Sequence, residues 1–456
     1  MRVHFAGAGQ CAEYVARRLI REGHDLCLMD RDEARCHDLE ETLDAQVVVG
    51  DAMNLKDWRH AGLEKADLFV GCTNSDEYNV LACLIANELA PEALKAIRLR
   101  TPEFSAWGEM LKRLGVRVDR VIHPETDVLE RIMRVVNIPG VDDIRNFADE
   151  RVKVFSMNVE PDTVLAGKSL RSLRSEGVLS TARVSLIFRG TEVRVPDIDD
   201  VILSGDHVYI ITTREALEQT LTAVGITRRE RLREVFIVGG SELALELALA
   251  LEAQKVPAKL FEQDPRRCEA LAEKLASTTI INANGTDQSI LMRENIEGVD
   301  AFISLTSNDD ANLISSLLAR RLGVDKVIPL LHRLDYLPLA QRLGINTSAS
   351  PRVKAADALL EFIRGGGVLS VRTLGEEAAE VIELDVPAGS RYIDRKLGEI
   401  ELPPGTLIGA VVPPGMPAQL PEPQTVINAG DRVVFFAQEN AVHKLEVKLL
   451  NGSRRK

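Results

Sequence analysis

The sequence predicts an α/β protein with two doubly wound parallel sheets, each followed by a small α+β lobe, in a tandem duplication. Short apolar segments alternate with amphipathic helical segments over residues 1–122, which is the pattern of parallel strands joined by helices. A glycine turn joins the first apolar segment to the first helical segment. Both features recur from Val235 onward at a nearly constant offset, which indicates that one unit has been copied along the chain.

The first glycine turn, Gly7-Ala8-Gly9-Gln10-Cys11, follows an apolar segment and opens a helix. Gly7 permits the tight turn, and Gly9 lets a phosphate approach the backbone. The helix N-terminus supplies free N–H groups and the positive end of a dipole. Asp30 ends the next apolar segment, and its distance from Gly9 along the chain is that of a ribose-binding carboxylate. These residues are therefore predicted to bind a dinucleotide or an adenine nucleotide.

Three residues bear on which nucleotide binds. A carboxylate at Asp30 accepts hydrogen bonds from ribose hydroxyls and repels a 2′-phosphate, which favours NAD(H) over NADP(H). Arg31 follows directly and would favour the opposite choice, so NAD(H) is the preferred prediction. Asp51 follows the third predicted strand and is expected to meet the adenine amino group or a ribose. An ordinary turn residue is the alternative role for Asp51.

Four further residues lie at predicted strand ends. Thr73 and Asn74 follow the fourth strand, and Arg98 and Arg100 lie two apart in the predicted strand Ala96–Arg100, so both point to one side. Two adjacent guanidinium groups need carboxylates or phosphates. We expect phosphate contacts, with a structural ion pair as the alternative. Because an arginine pair also suits a triphosphate, ATP stays an alternative ligand.

A second turn, Gly239-Gly240-Ser241-Glu242-Leu243, and the carboxylate Glu262 mirror the first turn and Asp30. Ser241 stands at the position of Gly9, and Leu330 and His332 stand where the first copy has its arginines. The mirrored residues are predicted to form a second nucleotide site with fewer charges toward a phosphate. Either this site holds a dinucleotide through turn and ribose contacts, or it is an empty scaffold.

Two helices with an apolar stripe follow the predicted sheets, at Pro124–Asn137 and Pro351–Arg364. The first packs on its own domain or crosses to a partner subunit, and the sequence leaves both interpretations open. The expected domains are two nucleotide-binding domains with their linker helices, at 1–137 and 232–367, and two small lobes, at 145–226 and 370–452.

Composition narrows the function classes. The chain has 456 residues, 45% of them hydrophobic and 27% charged, as expected of a globular protein with real cores. A net charge of −13 argues against nucleic acid as a partner. The chain has no apolar run long enough for a membrane span and no signal peptide, so we expect a cytoplasmic protein.

The cysteines and histidines do not form a recognisable reactive set. Six cysteines occur without a C-x-x-C pair or a zinc-ligand spacing, so we expect buried free thiols and no metal site. Cys11 lies in the first turn, and a redox role for it stays an alternative. Eight histidines are scattered, and no Ser/His/Asp set is evident. A nucleotide-binding module without catalytic residues is therefore favoured over an enzyme.

The motifs resemble the amino-terminal lobe of RCK domains, the regulators of potassium conductance. The resemblance is carried by the first turn, Asp30, Gly50-Asp51-Ala52, the stretch from Thr73 to Asn79, Arg98-Leu99-Arg100 and Pro124-Glu125. The small lobes, with Gly205-Asp206 and Gly430-Asp431, resemble the carboxy-terminal RCK lobe. Two full modules in one chain of this length are similar to the TrkA family, the peripheral subunits of Trk potassium uptake systems.

The resemblance implies a cytoplasmic gating ring, peripheral on the inner face of the cell membrane. It implies a homotetramer that binds a potassium-translocating membrane subunit of the TrkH type and responds to NAD(H), ATP or ADP. Carried over by residue, the first turn with Asp30, Thr73, Asn74 and Arg98 would form one nucleotide site, and Gly239 to Leu243 with Glu262 the other. An NAD-dependent oxidoreductase and a nucleotide or redox sensor without a channel are the alternatives.

Overall fold

The computed structural model describes residues 1–100, 107–113, 115–138, 140–190, 192–226, 232–364, 368–374, 378–390, 392–438, 441–442 and 445. The chain forms two compact units. The first contains residues 1–128, 332–334 and 350–364, and the second contains residues 129–331, 335–349 and 365–456.

The first unit is built on a six-stranded parallel sheet in the order β3-β2-β1-β4-β5-β6. The strand order reverses beside β1, and that crevice is where ligands bind in such sheets. Its strands are β1 (Arg2–Ala6), β2 (Asp25–Asp30), β3 (Gln46–Val49), β4 (Leu68–Gly71), β5 (Leu94–Arg98) and β6 (Arg120–Ile122). Its helices are α1 (Gln10–Arg21), α2 (Glu33–Thr42), α3 (Leu55–His60), α4 (Asp76–Leu89) and α5 (Trp107–Arg113).

Beyond the first sheet, α6 (Pro124–Val136) leads into an antiparallel lobe of the second unit, with strand order β10-β9-β11-β8-β7. The central strands are buried along almost their whole length and contribute to the apolar core of the lobe. The lobe consists of β7 (Asp143–Phe147), β8 (Val152–Asn158), α7 (Leu170–Ser175), β9 (Ala182–Arg189), β10 (Glu192–Arg194), β11 (His207–Thr213) and α8 (Leu217–Ala223).

The second unit also contains a parallel sheet that repeats the first one, in the order β14-β13-β12-β15-β16. A single parallel bridge between Leu330 and Ala349 lies at the edge where the first sheet has β6. Its strands are β12 (Val235–Val238), β13 (Ala258–Glu262), β14 (Thr279–Asn282), β15 (Ala301–Ser304) and β16 (Lys326–Pro329). Its helices are α9 (Glu242–Ala253), α10 (Pro265–Ala272), α11 (Gln288–Arg293), α12 (Asp309–Arg321) and α13 (Tyr336–Arg342).

After α14 (Pro351–Arg364), the chain forms a second antiparallel lobe with strand order β17-β18-β22-β20 and a short β19-β21 pair. Both antiparallel lobes contribute to one apolar cluster, in which Phe147, Leu186 and Tyr209 lie with Val381 and Phe436. The strands are β17 (Val368–Leu374), β18 (Ala379–Asp385), β19 (Arg395–Lys396), β20 (Thr406–Val412), β21 (Val426–Ile427) and β22 (Arg432–Gln438). The predicted fold class is confirmed: two doubly wound sheets, each followed by an antiparallel lobe.

The linker helix α14 packs away from the sheet that it follows in sequence. Helix α14, which follows the second parallel sheet in sequence, packs on α1 of the first unit. Its apolar face contributes Ala355, Leu359 and Leu360 to the core that contains Val15 and Leu19. This helix therefore belongs to the core of the first unit, although it follows the second parallel sheet in sequence.

The C-terminal end of α6 is held within the second unit. The Lys326 ammonium group at the start of β16 donates to the carbonyls of Val135, Ile138 and Val141 at 2.6–2.8 Å. Arg131 donates to the Ser348 carbonyl at 2.6 Å. The linker helix that follows the first sheet is thus tied to residues of the second sheet.

Candidate functional site

The first glycine turn has the geometry that a phosphate requires. Gly7 has a φ of +98°, and a Cβ there would lie 3.0 Å from the Thr73 backbone, so both conformation and space require glycine. Gly9 is the N-cap of α1 without a side-chain cap, and a Cβ on it would meet nothing within 4 Å. The N–H groups of the first turn of α1 are therefore free of a side-chain cap, with open space beside them.

Asp30 supports this turn directly. Its carboxylate accepts the Ala8 N–H at 2.8 Å and the Asp32 N–H at 3.1 Å. Arg35 on α2 donates to the Ala8 carbonyl at 3.0 Å and pairs with Glu13 on α1. Both backbone polar groups of Ala8 are therefore held by side chains, which leaves the turn in one conformation before any ligand arrives.

A cavity of about 310 Å³ opens above the turn. Arg31 crosses it, with its guanidinium carbon 4.7 Å from the centre of the Tyr78 ring and a 3.0 Å hydrogen bond to the Tyr78 hydroxyl. Asp51 caps its own loop by accepting the Met53 N–H at 2.9 Å. The lining residues are Gly7, Gly9, Met29, Asp30, Arg31, Gly50, Asp51, Ala52, Cys72, Thr73, Asn74, Ser75 and Tyr78.

The loop after β4 is fixed by Asn79, which is fully buried. Asn79 Oδ1 accepts the Thr73 N–H and hydroxyl, each at 2.8 Å, and Asn79 Nδ2 donates to the Arg98 carbonyl at 2.8 Å. One amide thus joins the ends of β4 and β5. The Asn74 carbonyl accepts from Arg100 at 3.3 Å, so the two predicted loop residues lie beside the arginine pair.

The arginine pair differs from the expected geometry. The predicted strand Ala96–Arg100 is wrong at its end, because β5 ends at Arg98 and Arg100 lies beyond it. The Arg98 side chain is 7% exposed and that of Arg100 is 46% exposed. Both guanidinium groups nevertheless reach the Glu125 carboxylate, at 3.8 and 3.6 Å. The ion-pair alternative therefore has a named partner.

This ion pair leaves polar atoms unsatisfied. Arg98 Nε and Glu125 Oε2 are buried without a hydrogen-bond partner. Burial raises the pKa of Glu125, and Arg98 opposes that rise. A buried donor without a partner carries a free-energy cost, which an anionic ligand can relieve.

A third arginine comes from α14. Arg352 donates to the Gln10 side chain and, at 2.7 Å, to the His332 carbonyl. It is also close enough to act electrostatically on Cys11 and Cys72. The positive charge beside the first turn is therefore supplied in part by a helix that the second half of the chain encodes.

The second glycine turn has the same backbone and a different chemistry. Gly239 has a φ of +98° and a Cβ contact of 2.9 Å, as at the first turn. Ser241, with φ and ψ close to those of Gly9, accepts the Ala244 N–H at 3.2 Å and so caps α9. The chain therefore supplies its own acceptor where the first turn leaves donors for a ligand.

Glu262 is engaged more fully than Asp30. It accepts the N–H groups of Gly240 and Gln263 at 2.6 Å and of Asp264 at 2.8 Å. Glu242 pairs with Arg267 at 2.9 Å, and Leu243 is buried. A cavity of about 450 Å³ remains above the turn, lined by Val238, Gly239, Gly240, Ser241, Phe261, Glu262, Gln263, Asp264, Arg267, Ala283, Gly285, Leu305, Thr306 and Ser307.

Sequence reasoning missed several of these contacts. Arg35 was detectable, because Arg267 occupies the equivalent position of the second copy and donates to the Gly240 carbonyl in the same way. Tyr78 lies within the stretch from Thr73 to Asn79, where the sequence indicates no separate role for this tyrosine. The sequence does not indicate which groups Glu125 and Arg352 contact, since these contacts depend on how α6 and α14 pack.

The two kinds of domain found here match the family models for the TrkA-N domain, at residues 3–124 and 235–351, and the TrkA-C domain, at residues 154–225 and 381–450. The chain belongs to the TrkA family. It is 34% identical to the Trk system potassium uptake protein TrkA of Vibrio alginolyticus over 96% of this chain and 95% of the relative.

Two solved structures share the fold. The chain is 17% identical to the GsuK RCK domain, with a TM-score of 0.61, over 99% of this chain and 95% of that chain. It matches the GsuK channel bound to NAD with a TM-score of 0.60 and 17% identity, over 99% and 79% of the two chains. Across the residues described, no helix is both long enough and apolar enough to cross a bilayer.

Proposed function

We propose that the chain is the nucleotide-binding regulatory subunit of a potassium uptake system and that its first glycine turn is the binding site for NAD(H). One observation carries the proposal: α1 begins at Gly9 without a cap, beside an open cavity and a buried arginine with an unpartnered donor. The names of the relatives, which are potassium uptake proteins, support the transport role.

NAD(H) is favoured over NADP(H) by Asp30, because a carboxylate there would repel a 2′-phosphate. The turn cups a pyrophosphate, and the cavity lined by Asp30, Asp51 and Tyr78 has room for the adenosine half. ATP or ADP is the second candidate, because Arg98 and Arg352 add positive charge close to the first turn. A structural neighbour, the GsuK channel, has been solved bound to NAD, which supports the first choice.

We further propose that the chain acts as a homotetrameric ring attached to a TrkH-type membrane subunit on the inner face of the cell membrane. Nucleotide binding would shift the population between two ring shapes, and the ligand can do so only to the extent that it binds one shape more tightly. The linker helices α6 and α14 are the candidates to transmit the movement, because each is tied to residues of the other half.

Calorimetry of the purified full chain with NAD, NADH, ATP and ADP tests the nucleotide proposal. One tight site per chain is expected. Two equal sites would contradict the assignment of the first turn, and binding of none of the four would overturn the proposal.

The regulatory proposal is tested by co-purification with a TrkH-type subunit and by potassium flux into vesicles that contain both proteins. Flux that depends on the bound nucleotide is expected. The same flux with and without nucleotide would contradict it. Turnover of NADH with small carbonyl compounds would instead favour the oxidoreductase alternative.

A further inference from the structure

A cavity of about 520 Å³ lies between the two antiparallel lobes, and both lobes contribute to its wall. This volume falls within the range of about 300–1,000 Å³ that small-molecule sites occupy. Among the described residues, the cavity shares none with the cavities above the two glycine turns. Most of its wall is aliphatic or proline, and its polar side chains are those of Arg174, Ser180, Arg183 and Glu422.

The apolar wall of this cavity belongs to the packed interior of both lobes. Leu170 and Leu179 are buried in the core of the first lobe. Ile408 is buried in a core of the second lobe, and Leu402 packs against that core. Because these side chains are already held by their neighbours, the cavity exists before a ligand arrives. A ligand would therefore pay little for ordering the wall.

One charged side chain lines this wall without a partner. Arg183 lies on β9 and is half-buried. Burial lowers the pKa of Arg183, so its guanidinium group is partly removed from water. In the part of the chain that the structure describes, Arg183 has no hydrogen bond and no ion pair. Glu422 acts on Arg183 only at a distance, because it pairs with Arg174 at 3.6 Å.

The second lobe has a leucine at the position of Arg183. Arg183 on β9 is the register partner of Ile211 on β11, and Leu407 on β20 is the register partner of Phe436 on β22. Arg183 and Leu407 both line the cavity. The lobe fold therefore accepts an apolar side chain here and does not need an arginine. Of two matching positions in the wall, one carries a cation and the other is apolar.

This asymmetry matches a molecule with one anionic end and an apolar body. A carboxylate accepts two parallel hydrogen bonds from a guanidinium group, and an alkyl chain would cover the leucines. A phosphate monoester carries about −1.5 to −2 charges at neutral pH, which one guanidinium does not neutralise. Excess charge in an apolar cavity is costly, and Arg174 is already neutralised by Glu422. A monocarboxylate is therefore the better match.

We propose that the cavity between the two antiparallel lobes binds a medium-chain monocarboxylate, with the carboxylate on Arg183 and the alkyl chain between the leucines of both lobes. The proposal goes beyond nucleotide binding and does not depend on it. Because such a ligand contacts two lobes of the folded chain, it stabilises the folded state over the unfolded one.

The experiment uses decanoate as the probe, with the purified full chain and below the micelle concentration of decanoate. Calorimetry is expected to find one decanoate per chain, and the unfolding temperature is expected to rise with decanoate concentration. 1-Decanol has the same alkyl chain without the charge. It is expected to bind at least about tenfold more weakly, because it lacks the charged hydrogen bonds to Arg183.

Three variants locate the site. Arg183→Leu introduces the residue of the second lobe and is expected to weaken decanoate binding at least about tenfold while 1-decanol affinity is kept. Arg171→Leu is the matched control, because Arg171 is exposed, pairs with Asp199 at 2.7 Å and lies outside the cavity. It is expected to bind decanoate like the wild type. Ile198→Trp fills the cavity from a position that is 40% exposed and is expected to weaken binding of both ligands.

The outcomes decide the proposal without reference to the nucleotide site. Equal decanoate affinity in the wild type and Arg183→Leu, or decanoate binding no tighter than 1-decanol, overturns the role of Arg183. Decanoate binding that Ile198→Trp leaves unchanged overturns the cavity as the site, and a chain that binds no decanoate overturns the whole proposal. Calorimetry with NADH on the same samples tests the proposed function separately.

Discussion

The two glycine turns share one backbone conformation but differ in the helix cap and in the charged residues beside them. Both start with a glycine at φ +98°, where an added Cβ would lie 3.0 Å (Gly7) or 2.9 Å (Gly239) from the backbone that follows a neighbouring strand. Both lead into a helix of 12 residues. The first helix begins at Gly9 with no side-chain cap, whereas Ser241 caps the second. The first turn is flanked by Arg98 and Arg352, and the position of Arg98 is Leu330 in the second half.

The comparison separates folding from binding. The features that both halves keep, such as the first glycine, the carboxylate on the turn and the arginine that holds the carbonyl, are the ones that shape the backbone. The features that differ are those that would meet an anion. We infer that the copied unit preserved a scaffold and that anion recognition was retained mainly in the first half.

The largest expected effect on NADH affinity comes from substituting the first glycine of each turn. Gly7→Val should weaken NADH binding by more than about 100-fold, ~2.7 kcal/mol, because a side chain at φ +98° with a 3.0 Å backbone contact displaces the turn. Gly239→Val is the matched control, expected to lower the unfolding temperature similarly while NADH affinity is kept. Calorimetry and thermal unfolding measure both. Equal loss of affinity in both variants would contradict the assignment.

The second prediction replaces Arg98 by leucine, the residue at the equivalent position of the second half. Arg98→Leu should weaken NADH binding by roughly 10- to 100-fold, since a hydrogen bond to a charged group contributes about 1.5–3 kcal/mol. Glu125→Gln removes the ion-pair partner and leaves Arg98 in place, so it should bind NADH at least as tightly as the wild type. If the two variants lost affinity to the same extent, Arg98 would act only through its ion pair.

A third prediction compares two buried lysines, one in β5 of the first sheet and one in β16 of the second. Lys95 donates to the carbonyls of its own loop, Ala90, Pro91 and Ala93, whereas Lys326 donates to the end of α6. Burial lowers the pKa of Lys326 from 10.5 to about 8 and also lowers that of Lys95. Between about pH 8 and 10.5 the unfolded chain therefore holds more protons than the folded one.

In that window, Lys326 should make the unfolding free energy rise with pH, by at most about 1.4 kcal/mol per pH unit. Urea unfolding at pH 8, 9 and 10 measures the slope, and Lys326→Met should remove this contribution. Lys95→Met is the control for loss of another buried lysine, one that holds its own loop and not a linker helix. A slope that is the same in wild type and Lys326→Met would show that this lysine does not titrate there.

The smallest expected effect comes from exchanging the N-cap residues of α1 and α9. Gly9→Ser should cap α1 as Ser241 caps α9, competing with the phosphate for the same N–H groups and weakening NADH binding about threefold. Ser241→Gly should cost only a few tenths of a kcal/mol in stability and increase any affinity of the second turn. Calorimetry on both variants measures the exchange. Tighter binding by Gly9→Ser would contradict a role for the uncapped helix.

The sequence was sufficient for the local parts of the first site. The strand-turn-helix at Gly7, the carboxylate at Asp30 and the duplication follow from glycine conformation, hydrophobic period and a constant offset, which are properties of neighbouring residues. The strand that contains Arg98 is predicted at Ala96–Arg100 but observed at Leu94–Arg98, because the apolar and charged residues there fit both ranges. The alternation of side chains along a strand predicts that Arg98 and Arg100 point to one side, but it holds only within the strand. Because β5 ends at Arg98, it does not predict the direction of the Arg100 side chain.

By itself the sequence determined that the chain is a repeated α/β module and that its two glycine turns differ in the charged residues predicted near them. Only the tertiary structure decided that α14 brings Arg352 to the first turn and that Glu125 joins both arginines. These contacts join residues far apart in the chain. Burial of an apolar helix face favours packing without specifying which of several similar surfaces it covers, so the partner emerges only when the whole core is assembled.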